Sequence, residues 1–304
     1  MRSWLETSVK PRVRPLTYAG YKVNVEKHLV PTLGKIRLDQ LTPLHVQEMM
    51  NDRLAAGLST KSVAYIHQVL RTALGLAVRW DMVPRNVARL VDRPRVERKQ
   101  INPLTPDEAR KFLGAIRGHR LEALFSVALA LGLRQGEALG LRWEDVDFGR
   151  GTLRVSNQLQ RIGGKLTLVP PKTERSRRAL VMPAMVIERL QQHERRQVAE
   201  RLWAGSEWQE SGLVFANRVG GPTQARHVIS QFHDALAKAD IRRVRFHDLR
   251  HSCATLLLVQ GVSPRVVMEV LGHSEIALTM NAYSHVVPEL QQEAAQRMQA
   301  ILER

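Results

Sequence analysis

Between residues 92 and 103 the chain reads Asp-Arg-Pro-Arg-Val-Glu-Arg-Lys-Gln-Ile-Asn-Pro, with two prolines, four basic side chains and almost nothing to bury. Proline removes a backbone donor and fixes φ, and neighbouring like charges repel, so such a stretch extends as a linker. It divides the 304 residues into two modules. That division agrees with a usual domain size of about 100–200 residues. A hydrophobic content of 44% is enough to fill two cores.

Ahead of the linker the pattern is helical. Thr17 to Leu29 carries Tyr21, Val25 and Leu29 at helical spacing, and Pro31-Thr32-Leu33-Gly34 ends the run. Thr42-Pro43 starts a helix through His45 to Ala55, which Gly57 stops. Ser59 is a good N-cap for a long helix from Thr60 to about Trp80, with Val63, Ile66, Leu70, Leu74 and Ala77 in one apolar stripe. Lys61, His67, Arg71 and Arg79 lie mostly off that stripe, where they face either a DNA backbone or solvent.

The second module begins at Thr105, an N-cap followed by Pro106 at the first helical position and Glu108 completing a capping box. An apolar helix from Leu121 to Leu131 runs up to Gly132. Gly151–Ser156, Leu166–Val169 and Arg177–Met182 read as three short strands, with Gly163-Gly164 turning the first hairpin. After that the chain is mainly helical, without internal repeats or low-complexity segments. The fold class is an all-α N-terminal domain followed by a mainly α domain with a small antiparallel β-sheet (α+β).

Forty-six Lys and Arg against 29 Asp and Glu leave a formal charge of +17. Such a field gathers polyanions, and nucleic acid is the first partner to consider, although a solvated arginine face explains the charge equally well. No apolar run approaches the roughly 18 residues that span a bilayer, and no signal peptide is read at the start, so an intracellular, cytoplasmic protein is expected. The one cysteine, Cys253, excludes a disulfide framework and reads as a small core residue.

Arg134 follows a Gly-Leu break between two apolar stretches, a place from which a side chain projects into a cleft, and a guanidinium can bind two phosphate oxygens at once. His247 and Arg250 are three apart on a predicted helix, close enough to reach one ligand. His251 lies one turn from His247, a spacing that also suits zinc. Against zinc, Asp248 stands where a metalloprotease has Glu, no third ligand is evident, and Arg250 would repel a dication. Glu144, Asp145 and Asp147 could form a two-metal carboxylate cluster, but short acidic residues after Trp143 also suit a turn into a strand. Between the second and third predicted strands, Lys172 can carry an ammonium to a leaving oxygen while Arg175, Arg177 and Arg178 grip adjacent phosphates. Lys165 in the preceding turn is a lesser candidate.

In chain order, Gly132-Leu133-Arg134-Gln135-Gly136-Glu137, the hairpin Lys172-Thr173, His247-Asp248-Leu249-Arg250-His251, Leu271-Gly272-His273 and Tyr283 ten residues later closely resemble the tyrosine recombinases, the phage-integrase family. The resemblance covers almost the whole chain. It implies a helical core-type DNA-binding domain over 1–91, a basic linker over 92–104, a catalytic domain over 105–286 and a helical tail over 287–304. It also implies roles: Tyr283 as nucleophile, Arg134 and Arg250 as clamp on the scissile phosphate, and Lys172 as acid for the leaving 5′-oxygen. His247 would accept a proton or bind phosphate, His273 would hydrogen-bond the phosphate or orient its neighbours, and Glu137 would support the site.

The same resemblance implies a 3′-phosphotyrosyl intermediate and strand exchange through a four-way junction. It implies four protomers on two double-stranded DNA core-type sites, with a DNA-bending host factor and an excision factor as further partners. No metal or other cofactor is implied, and the membrane is not a partner. Leu290, Ala294, Met298 and Ile301 give the tail a helical pattern that either docks on a neighbouring protomer or folds back on its own. Nothing in these residues corresponds to the small arm-site-binding domain of many phage integrases. Two rivals remain: a DNA-binding protein without catalysis, and a type IB topoisomerase that relaxes supercoils by the same chemistry.

Overall fold

The computed structural model describes residues 1–96, 102–171 and 176–272, and in the terminal segment 295–296, 298–299 and 301–303. The chain divides into two compact units, Met1–Lys99 and Gln100–Arg304.

The first unit is helical. Its elements are α1 (Arg2–Trp4), α2 (Pro15–Asn24), α3 (Val30–Leu33), α4 (Pro43–Ala55) and α5 (Thr60–Arg79), with π-helical turns at Leu5–Val9 and Val25–Leu29. The helix ends within the expected Pro31–Gly34 stop: Pro31 lies in the first turn of α3, where its missing N–H costs little, and α3 closes at Leu33 with Gly34 as its C-cap. Thr42 and His45 close a reciprocal cap at the start of α4. At its end Gly57 adopts φ 84°, while the Leu58 N–H reaches back to the Arg53 carbonyl, a Schellman closure.

Ser59 caps α5 through the Ser62 N–H. All five expected stripe residues of α5 are buried, and Val63, Ile66, Leu70 and Leu74 join the core that also holds Val25, Leu29, Val46, Met49 and Trp4. His67, expected on a solvent- or DNA-facing side, is also inside. It is 2% exposed and donates from Nε2 to the Ala88 carbonyl at 2.8 Å. The apolar face of α5 is wider than the five-residue stripe because the turn at Val87–Arg89 packs on it and needs a donor there.

The second unit contains α6 (Pro106–Ala115), α7 (Glu122–Ala130), α8 (Gln135–Leu139), α9 (Ala184–Ala204), α10 (Ala225–Lys238), α11 (Asp248–Val259) and α12 (Pro264–Leu271). Thr105 and Glu108 form the expected capping box on α6. Strands β1 (Val146–Asp147), β2 (Thr152–Val155) and β5 (Arg178–Val181) make one antiparallel sheet in the order β1-β2-β5. β3 (Gln158–Ile162) and β4 (Lys165–Val169) form a separate hairpin. The sequence predicts three strands, and the described residues hold five. β1 is two residues long, and β3, Gln-Leu-Gln-Arg-Ile, buries only Leu159, so neither gives an apolar alternation. Gly163 and Gly164 turn the β3–β4 hairpin with φ 56° and 85°, the left-handed pair that a two-residue turn requires.

The core of this unit is built on Phe112, Phe125, Phe232 and Phe246, whose rings meet in tilted or edge-on pairs 5.5–6.3 Å apart. Cys253 lies at its margin, 3% exposed, with its thiol pushed up to about 12 by burial. Among the described residues, no helix is long and apolar enough to cross a membrane.

Candidate active site

Arg134 owes its position to the break ahead of it. α7 ends at Ala130, Gly132 turns the chain with φ 62°, and Leu133 plugs into the core at 1% exposure. Arg134 is then extended and becomes the N-cap of α8. One turn later Glu137 accepts the Arg134 backbone N–H on Oε2 at 3.1 Å and the guanidinium Nη1 on Oε1 at 2.6 Å. The Arg134 side chain remains 38% exposed while Glu137 is 3% exposed, so the carboxylate anchors a cation whose outer face meets solvent.

Glu137 carries a second guanidinium, Arg178, whose Nη2 donates to Oε2 at 3.1 Å. Burial alone would raise the Glu137 carboxyl above its ordinary value. The positive charges of Arg178 and Arg134 outweigh that and hold it below, as a carboxylate.

Arg250 enters from α11 and is 2% exposed. Its Nη1 donates to the Gly132 carbonyl at 2.8 Å and its Nη2 to the Leu271 carbonyl at 2.5 Å. One planar side chain thus ties the turn that delivers Arg134 to the last turn of α12. A buried guanidinium is tolerated only when its donors are satisfied, and these two carbonyls fix its orientation.

His247 is the N-cap of α11, one turn before Arg250, and its residue is exposed. Partial desolvation, then the charges of Arg250, Arg134 and Arg245, keep the imidazole below its ordinary value. Arg250 and Arg134 therefore both act electrostatically on this one ring. His251 stands one turn on, and desolvation followed by the neighbouring His247 lowers it to about 4. Asp248 is held by Arg245, accepting its backbone N–H at 2.7 Å and its Nη2 at 2.7 Å, which squares off the start of α11. The arrangement joins two permanent cations to a neutral imidazole, a set suited to binding an anionic phosphodiester while accepting a proton.

Of the residues singled out from the sequence, the structure brings Arg134, His247 and Arg250 together with Glu137. Lys172, Arg175, His273 and Tyr283 lie outside the described residues, as do Leu290 and Ala294 of the tail. Met298 and Ile301 are exposed. Arg177 is exposed, and Lys165 is exposed at the start of β4. Arg178 needs correction. It does not face outward with its neighbours in the basic run, because antiparallel pairing with Val155 turns it inward to Glu137 and leaves its side chain 7% exposed.

The acidic run builds a turn. Asp145 accepts from the Ser156 hydroxyl at 2.7 Å, Asp147 accepts from the Arg150 backbone N–H at 2.8 Å, and Glu144 pairs with Arg142. Among the described residues, no group of three or more His, Cys, Asp or Glu could hold a metal ion.

In the first unit Lys61 and Arg71 are exposed on α5. Arg71 and Arg79 line a concave surface of about 970 Å³ together with Arg85 and Arg89. Arg85 and Arg89 escaped sequence reasoning. Their only signal was a four-residue spacing around Asn86, whose amide donates to the Arg71 carbonyl and whose Oδ1 caps the turn at Ala88. Four guanidiniums thus line one concavity, a concentration of positive charge chemically suited to phosphates.

Helices around small antiparallel sheets thus carry paired guanidiniums and an imidazole at one site, a cationic arrangement suited to an anionic phosphodiester. The chain matches the Phage integrase family over residues 102–289 and the phage integrase N-terminal SAM-like domain over residues 1–54. The tyrosine recombinase XerC-like protein of Caldanaerobacter subterraneus subsp. tengcongensis is 31% identical over 317 residues, covering 98% of this chain and 81% of that protein. The solved Tn1549 transposon integrase in complex with transposon right end DNA has a TM-score of 0.80 at 22% identity, over 97% of this chain and 98% of that one. A lambda integrase tetramer bound to a Holliday junction has a TM-score of 0.67 at 20% identity, over 92% of this chain and 76% of that one. The chain belongs to the phage integrase family, the tyrosine recombinases.

Proposed function

We propose that this recombinase cleaves and rejoins DNA at specific core-type sites through a covalent 3′-phosphotyrosine, integrating or excising a phage or other mobile element. The observation that carries the reading is the joint placement of Arg134, Arg250 and His247, two cations and a neutral base held on one rigid frame. In the forward step the Tyr283 phenol attacks phosphorus, the new bond is phosphorus to the phenolic oxygen, and the bond to the 5′-oxygen breaks. His247 takes the phenolic proton or binds the phosphate, Lys172 protonates the leaving oxygen, and His273 hydrogen-bonds the phosphate or orients its neighbours. Arg134 and Arg250 stabilise charge that builds on the equatorial oxygens, by about 2.7–4 kcal/mol for one well-placed donor in comparable sites.

The phosphotyrosine conserves the energy of the broken linkage, so a 5′-hydroxyl from another strand reverses the step without ATP. Fixed cations supply the charge stabilisation, so no metal ion is needed as cofactor. The lambda integrase tetramer on a Holliday junction supports four protomers acting on two duplexes. A host DNA-bending protein and an excision factor complete the assembly, which works on DNA in the bacterial cytoplasm. The basic concavity of the first unit, with Lys61 and Arg71 on α5, holds the core-site backbone. Arg175 and Arg177 grip phosphates near Lys172 in the chain.

The test is a nicked suicide duplex carrying the core site, incubated with protein in EDTA and run on a denaturing gel. A covalent protein–DNA band is expected, absent in Tyr283→Phe although mobility-shift binding persists. A band that survives in the variant removes Tyr283 from its role, and one that forms only with Mg²⁺ restores a metal mechanism.

A further inference from the structure

Arg178 sits at the end of a basic run, Arg175-Ser176-Arg177-Arg178, that from the sequence faces DNA. In the structure its side chain is buried and its guanidinium spans three segments. Nε donates to the Val270 carbonyl at 2.6 Å, Nη1 to the Ser176 carbonyl at 3.1 Å and Nη2 to Glu137 Oε2 at 3.1 Å. Val270 belongs to the last turn of α12, where carbonyls lack intrahelical partners. The adjacent carbonyl, Leu271, is held by Arg250. Two guanidiniums therefore cap neighbouring acceptors at one helix C-terminus, the end at which the helix dipole favours cations.

This end of α12 matters because the chain runs from it toward the proposed nucleophile. Gly272 closes the helix in the left-handed region, φ 65° and ψ 47°, and His273 and Tyr283 come after it in sequence. On the other side of Arg178, the remaining oxygen of Glu137 holds Arg134. A continuous set of contacts runs from the Arg134 guanidinium through Glu137 and Arg178 to the Val270 carbonyl.

Resting on the recombinase reading above, we infer that Arg178 is a positioning residue that fixes the separation between the phosphate clamp and the helix end leading to the nucleophile. It touches neither phosphate nor phenol and acts through Glu137 and Val270. Only a planar fork can serve both partners at once, so lysine is not an equivalent replacement. Displacing a reacting group by about 1 Å costs on the order of 10²-fold in rate.

The experiment is single-turnover formation of the covalent complex on the nicked suicide duplex, reading rate constant and amplitude separately, for the parent, Arg178→Met and Arg178→Lys. A positioning role predicts a rate constant about 10- to 100-fold lower in Arg178→Met, with amplitude and duplex affinity within about twofold of the parent. Arg178→Lys, which keeps a charge beside Glu137, is expected to fold and to show an intermediate rate. Combining Arg178→Lys with Glu137→Gln should cost less than the product of the two single effects, because both act on one chain of contacts. A merely structural role would lower amplitude and thermal stability at an unchanged rate constant, and that result overturns the inference. An unchanged rate constant in both variants beside an active parent overturns this inference alone. A parent that forms no covalent complex overturns the functional reading and this inference with it.

Discussion

His251 stands edge-on to His247, the ring centroids 5.0 Å apart and the planes at 89°. Desolvation and the surrounding arginines make both rings harder to protonate, and His247 adds to the effect on His251. Both imidazoles are therefore neutral at pH 7, which leaves His247 free to accept a proton.

The stability consequence has a definite sign. Because the folded values are depressed, the unfolded chain binds more protons between pH ~6.5 and the His251 value of about 4. Stability should fall as pH drops through that window, by at most about 1.4 kcal/mol per pH unit per proton. Solvent screening of the partly exposed rings reduces that figure. Urea midpoints measured from pH 7 to pH 4 should show the decline, and His251→Gln should flatten it. A His251 NMR titration with a midpoint near 6.5 would remove the basis for this expectation.

The two arginines proposed to clamp the phosphate should separate in their contribution to stability. Arg250 is buried and satisfies the carbonyls of Gly132 and Leu271, whereas Arg134 is partly open to solvent. Arg250→Ala is expected to destabilise the fold by about 2–4 kcal/mol through its two orphaned acceptors. Arg134→Ala should cost about 1 kcal/mol and leave the Glu137–Arg178 pair in place. Chemical denaturation distinguishes them; equal losses would contradict the anchoring described for Arg250. Both variants should lower covalent-complex formation far more than duplex binding.

Lys172 carries a chemical expectation. If it protonates the leaving 5′-oxygen, Lys172→Ala should cleave slowly on an ordinary duplex and recover on one whose leaving atom is a 5′-sulfur, which needs no proton. Rates on the two substrates decide it, and an equal deficit on both counts against the acid role.

The arginine concavity of the first unit should appear in salt dependence. Replacing Arg85 or Arg89 by alanine is expected to reduce the slope of log affinity against log salt by about 1 per lost phosphate contact, with little change in sequence preference. Titrations at several salt concentrations measure this. An unchanged slope would place the DNA on another face.

Much of the helical architecture is legible in the sequence because its signals are local. Ser59, Thr42 and Thr105 cap the helices that their positions predict, and the five-residue stripe on α5 is buried throughout. That Arg134 projects from a break between helices and that His247 and Arg250 lie within one turn at the start of α11 is legible too, because a Gly-Leu break and a three-residue spacing are local signals.

The features that escape sequence reasoning depend on partners far away along the chain. β3 carries polar residues on both faces and is defined only by its pairing with β4. Arg178 looks like its neighbours in a basic run, and the feature that turns it inward is a carboxylate 41 positions earlier. His67 shows no local sign of burial, since its partner, the Ala88 carbonyl, is a backbone atom 21 positions on.

The left-handed close of α12 at Gly272 has a practical consequence for protein engineering. A side chain there meets a backbone conformation that L-residues rarely adopt, and the two carbonyls just before it are already committed to Arg178 and Arg250. Chimeras that exchange C-terminal segments among relatives should be spliced after this glycine. A junction placed one turn earlier would import a helix end shaped to another protein's arginines.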